Sequence, residues 1–288
     1  MNKKPIPFLD YSEKVQIGII GTTTWATTLG LLFAKKGHTV ILWARNKTEA
    51  ETLRTNNENI RFLPGIKFPP NMHVTDSASS AFSESNITIF AVPSVTMKKN
   101  TILIKNHLNP NTIIISASKG LDSSGKRMTE VLSEQIQNTK IPICAISGPN
   151  LATEIIQGKA CSMIIASKNI NIAKKIQTIL NSEQIRIYTT DDITGIELGG
   201  SLKNIIAIGS GICDGYNLGK NAQAAFITRG LAEITRFATY FGAQSKTMMG
   251  LAGIGDLIAT CTSPLSRNYQ LGQKLAEGQT LSKIYKNI

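Results

Sequence analysis

Between residues 15 and 190 short apolar runs alternate with stretches whose apolar residues recur at helical spacing, and few architectures accommodate that alternation. The runs at 15–20, 39–43, 87–92, 112–116, 143–147, 162–166 and 185–188 are rich in isoleucine and valine. Parallel strands buried on both faces have that character, whereas strands with one wet face alternate apolar with polar. Helices are expected between them at 25–36, 47–56, 95–105, 126–136 and 170–180. Strands alternating with helices predict a doubly wound α/β domain with a parallel sheet. After Asp192 the strand pattern stops. GIELGGSLKNIIAIGSGICDG, AAFITRGLAEITRFATYFG and SRNYQLGQKLAEG all follow helical spacing, so an α/β domain at 1–191 and an all-helical domain at 192–288 are expected.

Bulk properties exclude several function classes. The chain has 288 residues, enough for two domains, with 42% hydrophobic and 17% charged residues, an ordinary globular balance. The N-terminal MNKKPIPFLDYSEK carries two lysines but no apolar segment behind them, so no secretory signal is expected. No uninterrupted apolar stretch is long enough to span a bilayer, and a cytoplasmic location without membrane insertion is the expectation. Cys144, Cys161, Cys213 and Cys261 form no C-x-x-C pair, which argues against a metal site and a disulfide framework. The formal net charge is +12, but its lysines are scattered and only 6% of residues are aromatic. No nucleic-acid partner is expected from that pattern. Phosphorylated small molecules remain suitable partners for a diffuse positive charge.

The stretch IGIIGTTTWATTLG, residues 17–30, runs from an apolar strand through Gly21 into a helix, the place of a dinucleotide phosphate loop. Thr23 and Ala26 stand where the GxGxxG pattern has its second and third glycines. A threonine at 23 adds bulk and avoids positive φ, so a pyrophosphate is expected farther out and bound more weakly. The alternative is a rearranged loop in which the threonine hydroxyls are themselves ligands. The helix start at Thr24 and Trp25 still offers free N–H groups to a phosphate, although a plain βα turn has the same outline. At the end of the second strand LWARN supplies Arg45 and no neighbouring acid, which favours NADP over NAD or is an ordinary surface arginine.

Four further segments carry candidate chemistry. SASKGL puts Lys119 after an apolar strand, and SGPNLATE puts Gly148 and Asn150 after another, at the sheet edge where ligands sit in such folds; a solvent-facing turn lysine and a plain capped turn have the same outline. In ELGGSLKNIIAIGSG, Lys203 lies among apolar residues on a helix; burial there pushes a lysine toward neutrality and suits it to proton transfer. Its partner is Glu197 or Asp256, or else it snorkels to water. All three histidines, His38, His73 and His107, precede it, so proton chemistry in the second half needs another group. Ser266, Arg267 and Asn268 combine hydroxyl, guanidinium and amide at a helix start, an arrangement that fits an anion or a simple capped helix.

Taken in order, IGIIGTTTWATTLG, GHTVILWAR, SASKGL, SGPNLA, ELGGSLKNIIAIGSGICDG, FITRGLAE and GLAGIGDLIATCTSPLSRNYQLGQ resemble the bacterial-type NAD(P)-dependent glycerol-3-phosphate dehydrogenases. The resemblance implies a Rossmann-like N-terminal domain that binds NADP or NAD and a helical substrate domain. It implies reversible reduction of dihydroxyacetone phosphate to glycerol 3-phosphate, feeding phospholipid synthesis, with a homodimer as the candidate assembly. By the same resemblance Lys203 is the proton donor and acceptor. Lys119, Gly148, Asn150, Lys203, Asp256, Ser266, Arg267 and Asn268 would hold the substrate; Gly21, Thr24, Trp25, Arg45, Lys119, Ala152 and Arg267 would contact the cofactor. Asn150 departs from the family's usual serine or threonine. Family members also continue beyond LSKIYKNI, so the helical domain is expected to be truncated. Two alternatives stay open: a decayed, non-catalytic remnant, and a related two-domain hydroxyacid dehydrogenase.

Overall fold

The structure, a computed structural model, describes residues 14–284. The segment read as lacking a secretory signal (1–13) and the last residues of the expected truncated end (285–288) lie outside the described ones.

The first part of the chain forms β1 (Gln16–Ile20), α1 (Thr24–Lys35), β2 (Thr39–Trp43), α2 (Lys47–Asn56), β3 (Met72–Thr75), α3 (Ala78–Phe82), β4 (Ile87–Phe90) and α4 (Met97–Ile104). It continues through β5 (Ile113–Ser116), α5 (Met128–Ile136), β6 (Ile143–Ser147), α6 (Ala152–Ile156), β7 (Cys161–Ala166), α7 (Ile170–Leu180) and β8 (Ile185–Thr190). The eight strands form one sheet in the order β3-β2-β1-β4-β5-β6-β7-β8. Helices cover both faces, which is why the strands carry apolar residues on both sides. Ile17 and Ile19 of β1 pack with Leu29 and Phe33 of α1 and Ile176 of α7, whereas Ile20 packs with Phe82 of α3 and Met97 of α4.

Two features depart from the sequence expectation. The strand β3, MHVT, was not expected, because burial of Met72 and Val74 alone gives an alternation only four residues long. The sheet is also not wholly parallel: β7 runs antiparallel to β6, pairing Ala145 with Ala166 and Ser147 with Ile164. The connection at 148–160 holds only the five-residue α6, short of a full crossover helix, and the chain turns back beside the strand it left.

That reversal positions the helical half of the molecule. Because β8 is parallel to β7, it ends at the opposite sheet edge from β6. The 23-residue α8 (Ile193–Gly215) starts there, capped by the Asp192 carboxylate, which accepts from the Gly195 N–H at 2.7 Å. Climbing at about 1.5 Å per residue, it passes the C-terminal end of β6 at Gly200, in the first half of its length. The rest is helical: α9 (Gly219–Tyr240), α10 (Ser245–Met248), a π-helical turn over Leu251–Gly255, α11 (Asp256–Thr262), α12 (Arg267–Ala276) and α13 (Leu281–Ile284). Ile193, Ile196 and Ala252 pack against Ala145 and Ala166, joining these helices to the sheet. Among the described residues no single helix is long and apolar enough to cross a membrane.

Candidate functional site

Strands β1, β4, β5 and β6 all end on one edge of the sheet, and the loops leaving them carry most of the residues singled out in the sequence. Gly21 follows β1 with φ 111°, and a Cβ there would approach the Ala91 carbonyl oxygen to 2.8 Å. Only glycine fits that position. Thr23 behaves differently from the expectation. Its φ of −64° and ψ of 167° are ordinary for threonine, so the anticipated backbone strain is absent. It caps α1: Oγ1 accepts from the Ala26 N–H at 3.2 Å and donates to the Ala91 carbonyl at 3.1 Å. The hydroxyl is thus engaged with the protein, while Thr24 and Trp25, both half-buried, open the helix. Ala26 is fully buried.

The reading that LWARN has no neighbouring acid also changes, because the first turn of α2 supplies Glu49. Thr22 Oγ1 donates to Glu49 Oε1 at 2.5 Å, and the Glu49 N–H donates to Asn46 Oδ1 at 2.9 Å as α2 begins. The signal was present in the sequence, since Asn46 and Glu49 have the three-residue spacing of a helix-capping pair. Arg45 stands exposed just after β2, separated from β5 by β1 and β4.

The second group of candidates converges where α8 passes β6. Gly200 makes the approach possible: a Cβ would come within 2.8 Å of Ser147 Oγ and 3.5 Å of Lys119 Cγ. One turn farther on, the buried Lys203 donates from Nζ to Asp256 Oδ1 at 2.5 Å and Thr260 Oγ1 at 2.6 Å. Asp256 Oδ2 accepts from Lys119 Nζ at 2.7 Å, and Lys119 also donates to the Gly148 carbonyl at 3.0 Å. One carboxylate, only 1% exposed, therefore holds two ammonium groups. Burial pushes the Lys203 pKa down to about 8, with the Lys119 charge acting the same way and Asp256 opposing. Asp256 owes its place to the π-helical turn before it, a distortion often found where a helix serves a site. Thr260 was not singled out from sequence; it follows Asp256 by four residues, the helical spacing that puts both on one face.

Of the two carboxylates considered for Lys203, the structure pairs it with Asp256. Glu197 turns instead to α5, accepting from the Thr129 N–H at 2.9 Å, Thr129 Oγ1 at 2.6 Å and Arg127 Nη1 at 3.2 Å. Ser266 caps α12 through the Tyr269 N–H at 3.3 Å, so its hydroxyl is partly committed. Asn268 Nδ2 donates to Asn204 Oδ1 at 2.9 Å, which ties the start of α12 to the residue after Lys203. Arg267 is exposed between them. Ala152 begins α6, half-buried, beyond Asn150.

The buried polar groups show where a ligand fits. Among the described residues, Ser147 Oγ and both amide atoms of Asn150 are buried with no hydrogen-bond partner. Native proteins seldom leave such groups unpaired, and these flank Gly148, whose carbonyl holds Lys119. The turned Gly21 and the capped start of the 12-residue α1 likewise leave a helix N-terminus at the edge where dinucleotides bind. The residues present fit a dinucleotide there and a polar substrate beside Lys119.

The chain is similar to known proteins over most of its length. Residues 16–173 match the NAD-dependent glycerol-3-phosphate dehydrogenase N-terminus, and residues 192–288 match the C-terminus of the same family. A glycerol-3-phosphate dehydrogenase [NAD(P)+] of Dehalococcoides mccartyi is 45% identical over 276 residues, covering 95% of this chain and 77% of that protein. Its counterpart in Corynebacterium glutamicum is 42% identical over 93% of this chain and 81% of its own length. The crystal structure of glycerol-3-phosphate dehydrogenase from Coxiella burnetii superposes with a TM-score of 0.90 at 35% identity, covering 95% of this chain and 83% of that one.

Proposed function

The chain belongs to the NAD-dependent glycerol-3-phosphate dehydrogenase family, and on that premise we propose that Lys203 is the acid in its reduction of dihydroxyacetone phosphate to glycerol 3-phosphate. The cofactor is NADP or NAD, as in the relatives. The observation that carries the reading is the buried Lys203–Asp256–Lys119 cluster at the sheet edge onto which the β1–α1 loop opens. In this reading residues 1–191 hold the dinucleotide, and 192–288 contribute the acid and most substrate contacts. The reaction feeds phospholipid synthesis in the cytoplasm.

A bound reduced nicotinamide supplies the hydride that the ketone carbon accepts. The chain's own residues do the rest. Lys203, with a pKa near 8, is close to the pH at which an amine best serves both as acid and as base. Its ammonium donates a proton to the oxygen of the ketone as negative charge develops there, and in the reverse direction the neutral amine takes that proton back. Asp256 keeps the Nζ atom in place and favours its protonated form. Lys119, anchored by two of its three N–H groups, has one left for the substrate. Arg267 and the N–H groups at the start of α12 suit the phosphate, with Asn268 fixing that helix start against α8. Asn150 and Ser147 contribute the unpaired donors and acceptors noted above. Orienting the substrate in this way lowers the entropic part of the barrier.

Steady-state oxidation of NADPH by the purified protein tests the reading, with dihydroxyacetone phosphate compared against dihydroxyacetone. Turnover should require the phosphate. Equal rates with both ketones would favour a dehydrogenase for another substrate. NADPH binding by fluorescence titration without any turnover would favour a non-catalytic remnant.

A further inference from the structure

The acid that the sequence lacked at the end of β2 is supplied from α2. Two loops converge on Glu49: the turn after β2, through the Asn46 side chain that holds its N–H at 2.9 Å, and the loop after β1, through the Thr22 hydroxyl at 2.5 Å on its carboxylate. The same turn carries Arg45, exposed and one residue before Asn46. In doubly wound folds the junction of these loops is where the 2′ position of the adenosine ribose is read: a carboxylate accepts from a free 2′-hydroxyl, a guanidinium binds a 2′-phosphate. This chain presents both groups there.

We propose that Glu49 is a specificity-determining residue that opposes Arg45, lowering the preference for a 2′-phosphorylated dinucleotide and accommodating the unphosphorylated one. The proposal rests on the cofactor lying at the β1–α1 loop. Glu49 is half-buried, its backbone is fixed by the Asn46 cap, and its carboxylate is held by the Thr22 hydroxyl, so it is more restrained than a surface glutamate. One of its oxygens takes the Thr22 hydroxyl, and the other has no hydrogen bond among the described residues, which leaves it for a ribose hydroxyl. A 2′-phosphate at the same place meets a fixed like charge. Asn59 steadies the arrangement by donating to the Thr22 carbonyl at 2.8 Å. The chain thus presents an attractive and a repulsive determinant to the same 2′-phosphate, and selectivity is set by the difference between them.

Equilibrium binding of 2′,5′-ADP and 5′-ADP isolates this subsite, read by calorimetry on the whole protein in wild type, Glu49→Gln and Arg45→Ala. Glu49→Gln keeps an oxygen for the Thr22 hydroxyl and removes only the charge. Its affinity for 2′,5′-ADP relative to 5′-ADP should rise by about fivefold, the scale of a single charge–charge term near a protein surface, and the gain should shrink in high salt. Arg45→Ala should move the ratio the other way. An unchanged or lowered ratio in Glu49→Gln, with both nucleotides still bound, overturns the role of Glu49 and leaves the cofactor placement standing. Binding of neither nucleotide to the wild type overturns both.

Discussion

At the scale of single residues, the site depends on one carboxylate serving two lysines. Because Asp256 favours the charged form of Lys203, Asp256→Asn should lower the Lys203 pKa below its value of about 8. With Lys203 as the proposed acid, the reduction requires it protonated, so kcat/KM should fall as pH rises through that value in the wild type, and at a lower pH in Asp256→Asn. Oxidation of glycerol 3-phosphate should show the mirror-image dependence. A pH midpoint that stays fixed or rises in the variant contradicts the coupling. Lys203 was legible in the sequence because a lysine amid Leu202, Ile205 and Ile206 stands out as a candidate for burial. Its partner was not. Glu197 lies only six positions away, whereas Asp256 is 53 residues distant in sequence, and only the packing of α11 against α8 decides between them.

At the scale of elements, the proposed binding rests on the helix starts. Thr23 is used as a cap, so Thr23→Ala should reduce stability by about 1 kcal/mol, and Thr23→Gly by only a few tenths, in denaturant titration. The reverse order of effects would show that the hydroxyl bonds to Ala26 and Ala91 contribute little. For α12, Arg267→Ala should weaken dihydroxyacetone phosphate binding by about 1.5–3 kcal/mol, the range for a hydrogen bond to a charged group, and Arg267→Lys should restore only part. Substrate affinity unchanged in Arg267→Ala would remove that residue from the phosphate site. The capping role of Ser266 was legible, because Ser-Arg-Asn after Pro264 has the chemistry of a helix start. The conformation of Thr23 was not: matching it to a loop glycine suggested a strained backbone, whereas the threonine caps the helix with φ negative.

At the scale of the whole molecule, the alternation of strands and helices made the α/β sheet and the helical remainder legible from sequence. The antiparallel turn of β7 was not, because strand direction leaves no mark on composition. Yet that turn delivers α8 from the far edge and brings Lys203 to Lys119. The tether that fixes α8 against α5 is Glu197, buried against Thr129 and Arg127. Glu197→Ala leaves Arg127 with only Glu130 and should cost about 3 kcal/mol, the low end for breaking a buried pair since Arg127 is partly exposed. Chemical denaturation measures it, and a loss below about 1 kcal/mol, the size of a surface pair, would mean the tether is not structural.

The central claim is that Lys203 moves the proton in a reduction whose hydride comes from the dinucleotide. Turnover of NADPH with dihydroxyacetone phosphate by wild type and Lys203→Ala, measured beside NADPH affinity, tests it most directly. The account predicts that the variant binds NADPH as the wild type does and turns over slower by roughly two or more orders of magnitude, the scale of general acid catalysis. Near-normal turnover in Lys203→Ala would contradict it.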